Sequence, residues 1–181
     1  MCGFIGFTGI LNSKETILQR MMDRIVHRGP DMGGMYTDED VALGFRRLSI
    51  LDLSEAGAQP MKNEEGTVIV TFNGEIYNFM ELRKELEAKG HTFHCHADTE
   101  VLVHGYEEWG TDVVYRLRGM YGFVIWDTQR KRLFGARDIF GIKPFYYYPI
   151  PGNKGLIFGS EIKSFLDHPD FVKQVNENAL R

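Results

Sequence analysis

Short apolar runs alternate with glycine-, proline- and acid-rich turns along almost the whole chain, and the period of each run predicts its element. Residues 3–8 mix apolar with small side chains and predict a buried first strand. Helical spacing follows. Ile17, Met21 and Ile25 form one stripe with Leu18 and Met22 beside it, behind a capping pair of Asn12 and Glu15. Gly29 and Pro30 stop that helix. Residues 35–37 and 41–45 predict a hairpin around an acidic turn, and 54–61 a loop. The β-branched run 67–72 is the clearest strand and leads into the turn-prone pair Asn73-Gly74. A helix from Asn78, boxed by Glu81, turns Leu82 and Leu86 inward and stops at Gly90. Residues 92–96 are extended, 98–109 helical and 111–117 a short helix. Strands follow at 121–126, 133–138, 145–148 and 156–159, then a last helix capped by Ser160-Glu161. This order predicts an α+β fold of two packed antiparallel sheets flanked by helices, not βαβ units.

Composition narrows the function. A chain of 181 residues, 43% hydrophobic and 25% charged, can build one folded core, so residues 1–181 are expected to form one domain. Residues 175–181 resemble a helix just beginning, with Asn176 as its cap, and the natural chain is expected to continue into a further domain. The net charge of −4 argues against nonspecific binding to nucleic acid or anionic membrane. No apolar stretch approaches the roughly 20 residues of a membrane span, and the N-terminus lacks the flanks of a secretory signal. Cys2 and Cys95 are the two cysteines, too few for a disulfide framework and without CxxC spacing. A cytoplasmic protein with a thiol free to react is expected.

Cys2 is the candidate nucleophile. If Met1 is trimmed, Cys2 carries a free α-amine with a pKa of about 7.7–8, much of it unprotonated near neutrality. One residue then supplies both nucleophile and general base. On position alone, a small buried hydrophobe in a first strand is the better reading of Cys2. His91, His94, Cys95 and His96 suggest a metal cluster, but strand alternation turns Cys95 away from the two flanking histidines and no second cluster completes a ligand set. No metal site is expected. His27 reads as a structural partner near its helix end.

Several motifs reverse the reading of Cys2: His27-Arg28-Gly29-Pro30-Asp31; Arg46-Arg47-Leu48-Ser49-Ile50-Leu51-Asp52 with Gly57-Ala58-Gln59-Pro60; Phe72-Asn73-Gly74-Glu75-Ile76-Tyr77-Asn78; Asp98-Thr99-Glu100-Val101; and Gly119-Met120-Tyr121-Gly122-Phe123. Arg137-Asp138, Gly141-Ile142-Lys143-Pro144 and Gly159-Ser160-Glu161-Ile162-Lys163 complete the set. In this order and spacing the chain resembles, over nearly its whole length, the glutaminase domain of asparagine synthetases. These are class II glutamine amidotransferases of the N-terminal-nucleophile hydrolase family.

The resemblance implies a four-layer αββα sandwich and attack of mature Cys2 on the side-chain amide of glutamine. It implies Asn73, through its side-chain NH₂, and Gly74, through its backbone N–H, as donors to the oxyanion, a kind of contact worth about 3–4 kcal/mol. It makes Arg47 the fork for the α-carboxylate, a geometry guanidinium matches in bidentate fashion. Asp98 and Glu75 become the anions for the α-ammonium, and the backbone of Leu48, Ile50 and Leu51 lines the pocket. Plainer readings stand beside these. Asn73-Gly74 suits a hairpin turn, though it precedes a helix; Asp98 suits a helix N-cap; an arginine is most often a surface ion pair. Arg137-Asp138 and Lys143 are expected to hold their loop or face a partner domain.

Glutamine is the implied substrate. The implied partner is a C-terminal synthetase domain that activates aspartate with ATP and magnesium; the glutaminase half itself needs no cofactor. A homodimer is left open. Two alternatives remain. The ammonia could go to another acceptor, although the Arg-Leu-Ser-Ile run and the segment near Gly141 favour the asparagine branch over the sugar-phosphate and purine branches. Or the domain could bind glutamine or a partner silently, as it would if Met1 stayed in place and turned the α-amine into an amide.

Overall fold

The computed structural model describes residues 2–48, 57–175 and 177. Their strands form two antiparallel sheets. The first contains β1 (Gly3–Thr8), β2 (Met32–Thr37), β3 (Val41–Arg47), β8 (Tyr146–Ile150) and β9 (Gly155–Gly159), in the order β2-β3-β1-β9-β8. The second contains β4 (Met61–Lys62), β5 (Val68–Ile76), β6 (Gly119–Asp127) and β7 (Arg132–Arg137), in that order. Helix α1 (Lys14–Asp23) covers the first sheet, and α2 (Phe79–Ala88) and α3 (Thr99–Trp109) cover the second.

Alternation along the strands builds the layers. Val41, Leu43 and Phe45 of β3, with Phe4 and Phe158, meet Ile69, Val124 and Trp126 of the second sheet to form the middle core. The opposite side chains of the first sheet, Ile5, Phe7 and Ala42, pack on Leu18, Met21 and Met22 of α1. Those of the second sheet, Val70, Phe72, Phe123 and Ile125, pack on Leu82, Leu86, Val101 and Leu102 of the other helices. The result is the αββα sandwich.

Three local expectations fail, each because a distant partner wins. Ser13, not Asn12, caps α1, in a left-handed conformation and without a side-chain bond. Glu15 instead accepts from Thr37 Oγ1 at 2.7 Å. Asn78 makes no side-chain cap for α2; its amide spans to Arg116 O and Arg118 N, both at 2.9 Å. The last helix is a 3-10 segment, Ile162–Asp167, and Glu161 before it accepts from His27 and Arg28.

Candidate active site

Cys2 sits immediately before β1, half-buried at the edge of the middle core. Its thiol lies against one peptide group: Leu48 N–H donates to Sγ at 3.4 Å, and Sγ lies 3.8 Å from Leu48 O. Leu48 therefore lines the site through its backbone, in contact with the nucleophile itself. Cys2 O accepts from Arg28 Nε at 2.9 Å, and Arg28 Nη1 reaches Glu161 at 3.1 Å. Sequence reasoning gave Arg28 no role, although the His-Arg-Gly-Pro-Asp run contains it.

Asn73 and Gly74 do not form a turn. They continue β5, opposite Gly122 and Tyr121 of β6. Gly74 is needed here for close approach: a Cβ would lie 2.3 Å from Met120 O and 2.7 Å from Tyr121 Cα. Asn73 follows the alternation of Ile69 and points into the layer between the sheets, the layer Cys2 borders. The Phe4 ring, two residues along from Cys2, comes within 3.5 Å of where a Cβ on Gly122 would stand, directly across from Asn73. Asn73 is 3% exposed, and its Nδ2 has no hydrogen-bond partner among the described residues.

The free edge of β5 can be accounted for donor by donor. Tyr121 exchanges bonds with Asp138, on the β7 side, through N–H at 3.2 Å and C=O at 2.8 Å. Its partner Gly74 is therefore in a non-hydrogen-bonded pair, and the Gly74 N–H points away from β6. The same edge carries the N–H groups of Val68, Val70, Phe72 and Ile76. Asn63 Oδ1 takes the first at 2.9 Å, β4 pairs with the second, Gln59 Oε1 takes the third at 2.6 Å and Asp98 Oδ2 the fourth at 2.8 Å. Gly74 alone among these lacks a described partner. Two adjacent residues thus present two unspent donors, one from a side chain and one from the backbone.

Asp98 is not a side-chain cap of α3. It holds Ile76 N–H and lies near Glu75, which is exposed on β5. Burial, opposed by the Ile76 N–H and aided by the charge of Glu75, raises the Asp98 carboxyl to about 6. Two carboxylates held together with one lifted this far are suited to a cation. Arg47, at the end of β3, approaches the same region. A Cβ on Gly57 would lie 3.1 Å from Arg47 Nη2 and 3.9 Å from Ala97 Cβ, so the guanidinium and the residue before Asp98 both border Gly57. Arg47 Nη1 also lies 3.8 Å from Met32 Sδ. Ile50 and Leu51 fall outside the described residues.

Other candidates are structural. His27 Nε2 pairs with Glu161 at 2.8 Å, the carboxylate that Arg28 also engages. Asp138 is buried and receives Ile142 N–H at 2.9 Å and Lys143 N–H at 3.0 Å, while Arg137 Nε donates to Lys143 O at 2.6 Å. Together they hold their loop from inside. His94 and His96 are exposed with Cys95 half-buried between them, and burial followed by the Glu100 bond pushes the Cys95 thiol up to about 11. The fold does bring His91 to His104 and Glu107, which sequence spacing missed. Each of the three has a protein partner: His104 Nδ1 meets Glu107 at 2.9 Å, Glu107 also accepts from Asn63 at 2.7 Å, and His91 lies 3.5 Å from Glu108. These contacts tie His91 and Asn63 to α3. The clefts at Thr8–Leu11 and at Arg28–Pro144–Tyr146 hold none of the candidate site residues. Among the described residues, no helix is long and apolar enough to cross a membrane.

Residues 1–181 match the model of the glutamine amidotransferase domain. The chain is 48% identical to asparagine synthetase (glutamine-hydrolyzing) 1 of Bacillus subtilis, covering 100% of the chain and 29% of that protein. It is 41% identical to asparagine synthetase (glutamine-hydrolyzing) of Zea mays, covering 92% of the chain and 28% of that protein. The chain thus spans less than a third of these relatives. Its fold is similar to glutamine phosphoribosylpyrophosphate amidotransferase from B. subtilis, with a TM-score of 0.75 at 21% identity over 91% of this chain and 43% of that one.

Proposed function

The chain belongs to the glutamine amidotransferase domain family, and from that premise we propose that it hydrolyses glutamine with Cys2 as nucleophile. Removal of Met1 frees the Cys2 α-amine, which takes the thiol proton. The thiolate adds to the amide carbon of the substrate side chain, and the carbonyl electron pair moves onto oxygen. Asn73 Nδ2 and Gly74 N–H receive that oxyanion. The ammonium at Cys2 returns its proton to the leaving nitrogen, ammonia departs, and water resolves the thioester to glutamate. Arg47 pairs with the α-carboxylate; Asp98 and Glu75 pair with the α-ammonium; the Leu48 peptide orients the sulfur.

The observation that carries this reading is the pair of unspent donors at Asn73 and Gly74. A buried polar group without a partner costs about 1–3 kcal/mol, and Asn73 Nδ2 is such a group in the layer that Cys2 borders. The relatives' names and greater length support the further reading that the ammonia serves asparagine formation in a longer chain; in this proposal the remainder of that chain activates aspartate with ATP and magnesium. The need for a reduced thiol fits the cytoplasm.

The test is ammonia release from glutamine by protein whose loss of Met1 is verified by intact mass. The expected result is turnover without ATP, reduced to background by Cys2→Ala. Undiminished turnover in C2A would refute the mechanism.

A further inference from the structure

The free edge of β5 is held at two points and open between them. Gln59 holds Phe72 N–H, Asp98 holds Ile76 N–H, and Gly74 N–H lies midway. β4, which covers the rest of this edge, consists of Met61–Lys62 and pairs only as far as Val70. Gln59 is the next residue to touch the edge as it runs toward Gly74.

We propose that Gln59 is a positioning residue for the oxyanion donors: by holding Phe72 N–H it fixes the peptides that carry Asn73 and Gly74. This rests on the glutaminase reading above. Gln59 is built for the task. It is 9% exposed. Its amide is used at both ends, Oε1 on Phe72 N–H at 2.6 Å and Nε2 on Thr99 Oγ1 at 3.3 Å, which ties the edge to the start of α3. Its own backbone lies close against the opposite sheet, where a Cβ on Gly34 of β2 would collide with Gln59 O. The side chain therefore couples the second sheet and a helix to a point two residues from the donor, while the backbone of the same residue abuts the first sheet. A displacement of order 1 Å at reacting atoms can cost about 100-fold in rate, so fixing that edge matters to catalysis even though Gln59 touches no reacting atom.

The experiment compares glutamine turnover with binding of the γ-aldehyde of glutamate. The aldehyde accepts the Cys2 sulfur at its carbonyl carbon and places the resulting oxyanion where the tetrahedral intermediate has it. In Gln59→Met, which keeps the length and removes the acceptor, kcat is expected to fall roughly 10- to 100-fold with KM for glutamine within about twofold of wild type. Aldehyde affinity should fall by the same factor as kcat, while inhibition by the product glutamate stays unchanged. Gln59→Glu, which restores an acceptor, should recover most of both losses. Thr99→Val, which removes only the hydroxyl steadying the Gln59 amide, should give a smaller loss with the same signature, and it serves if the Met variant does not fold. Aldehyde affinity unchanged in these variants overturns the proposal. So does a loss shared equally by aldehyde, glutamine and glutamate, which marks general damage. Wild-type protein that neither releases ammonia nor captures the aldehyde defeats the glutaminase reading itself, a result distinct from either.

Discussion

Replacing Asp98 by Asn is expected to make the unliganded protein more stable and its glutamine binding weaker. Burial, with Glu75 beside it, lifts the Asp98 carboxyl from 3.8 to about 6. At about 1.4 kcal/mol per pH unit, keeping it ionised costs the empty fold at most about 3 kcal/mol at pH 7, and less where water reaches its rim. The sign is clear. The folded state holds this proton more tightly than the unfolded state does, so the cost is absent near pH 3, grows as pH rises toward 6, and is constant above. Asn keeps an oxygen for Ile76 N–H, now at 2.8 Å from the carboxylate, and carries no charge. Urea unfolding of D98N at pH 7 should therefore show a gain of about 1–3 kcal/mol that fades toward pH 4. KM for glutamine should rise about 10- to 100-fold, the worth of a charge-assisted bond to the ammonium. In wild type, calorimetry in buffers of different ionisation enthalpy should find about half a proton released on binding glutamine at pH 6, as the ligand's cation pulls the carboxyl back down. An unchanged KM with no stability gain at pH 7 refutes the assignment of Asp98 to the cation end.

Gly74→Ala should lose about 1–3 kcal/mol in a thermal melt, because its Cβ would stand 2.3 Å from Met120 O, a backbone atom that moves only if β5 and β6 part. Glutaminase kcat should fall with it, since the donor N–H moves as the strands separate. Burial opposes charging of His104, but the bond and charge of Glu107, with Glu64 and Glu100, outweigh it and raise the pKa; burial likewise opposes ionising Glu107, and His104 and Asn63 lower it. Stability from the pair is therefore full only between the ordinary carboxyl value of 4.5 and the ordinary imidazole value of 6.5, is lost as pH rises from there through the raised His104 pKa, and is lost as pH falls from there through the lowered Glu107 pKa; His104→Gln should flatten both limbs of the urea-midpoint curve.

The layers were legible because burial is written locally. Val41, Leu43 and Phe45 alternate with Ala42 and Gly44 whatever lies elsewhere in the chain, and the pattern alone separates the two faces of β3. Helix ends were less legible. Asn12 with Glu15 and Asn78 with Glu81 satisfy a local rule, yet Thr37 claims Glu15, and the Arg116–Arg118 backbone claims Asn78. A cap contributes about 1 kcal/mol, and a tertiary hydrogen bond of similar worth displaces it whenever the fold brings one close. His91 and His104 meet for the same reason: α3 returns past the strand-like segment, and spacing along the chain does not encode that return.

The site was legible only through the whole set of motifs. By itself Asn-Gly favours a tight turn, and nothing near residue 74 shows that β6 will extend it instead. Which N–H of β5 ends without a partner is decided by register: Asp138 engages Tyr121, Tyr121 faces Gly74, and the donor of Gly74 is thereby turned outward. That placement has a chemical consequence. A donor in a turn must be brought to the oxyanion when charge develops, whereas a donor inside a paired strand is already held by the ladder on one side and by Gln59 and Asp98 on the other. On the glutaminase reading, the stability forgone by leaving buried Asn73 Nδ2 without a partner is the same free energy that becomes available when charge appears on the substrate oxygen. On that reading those donors stay available to the transition state because each of the other described donors along that edge has a partner of its own.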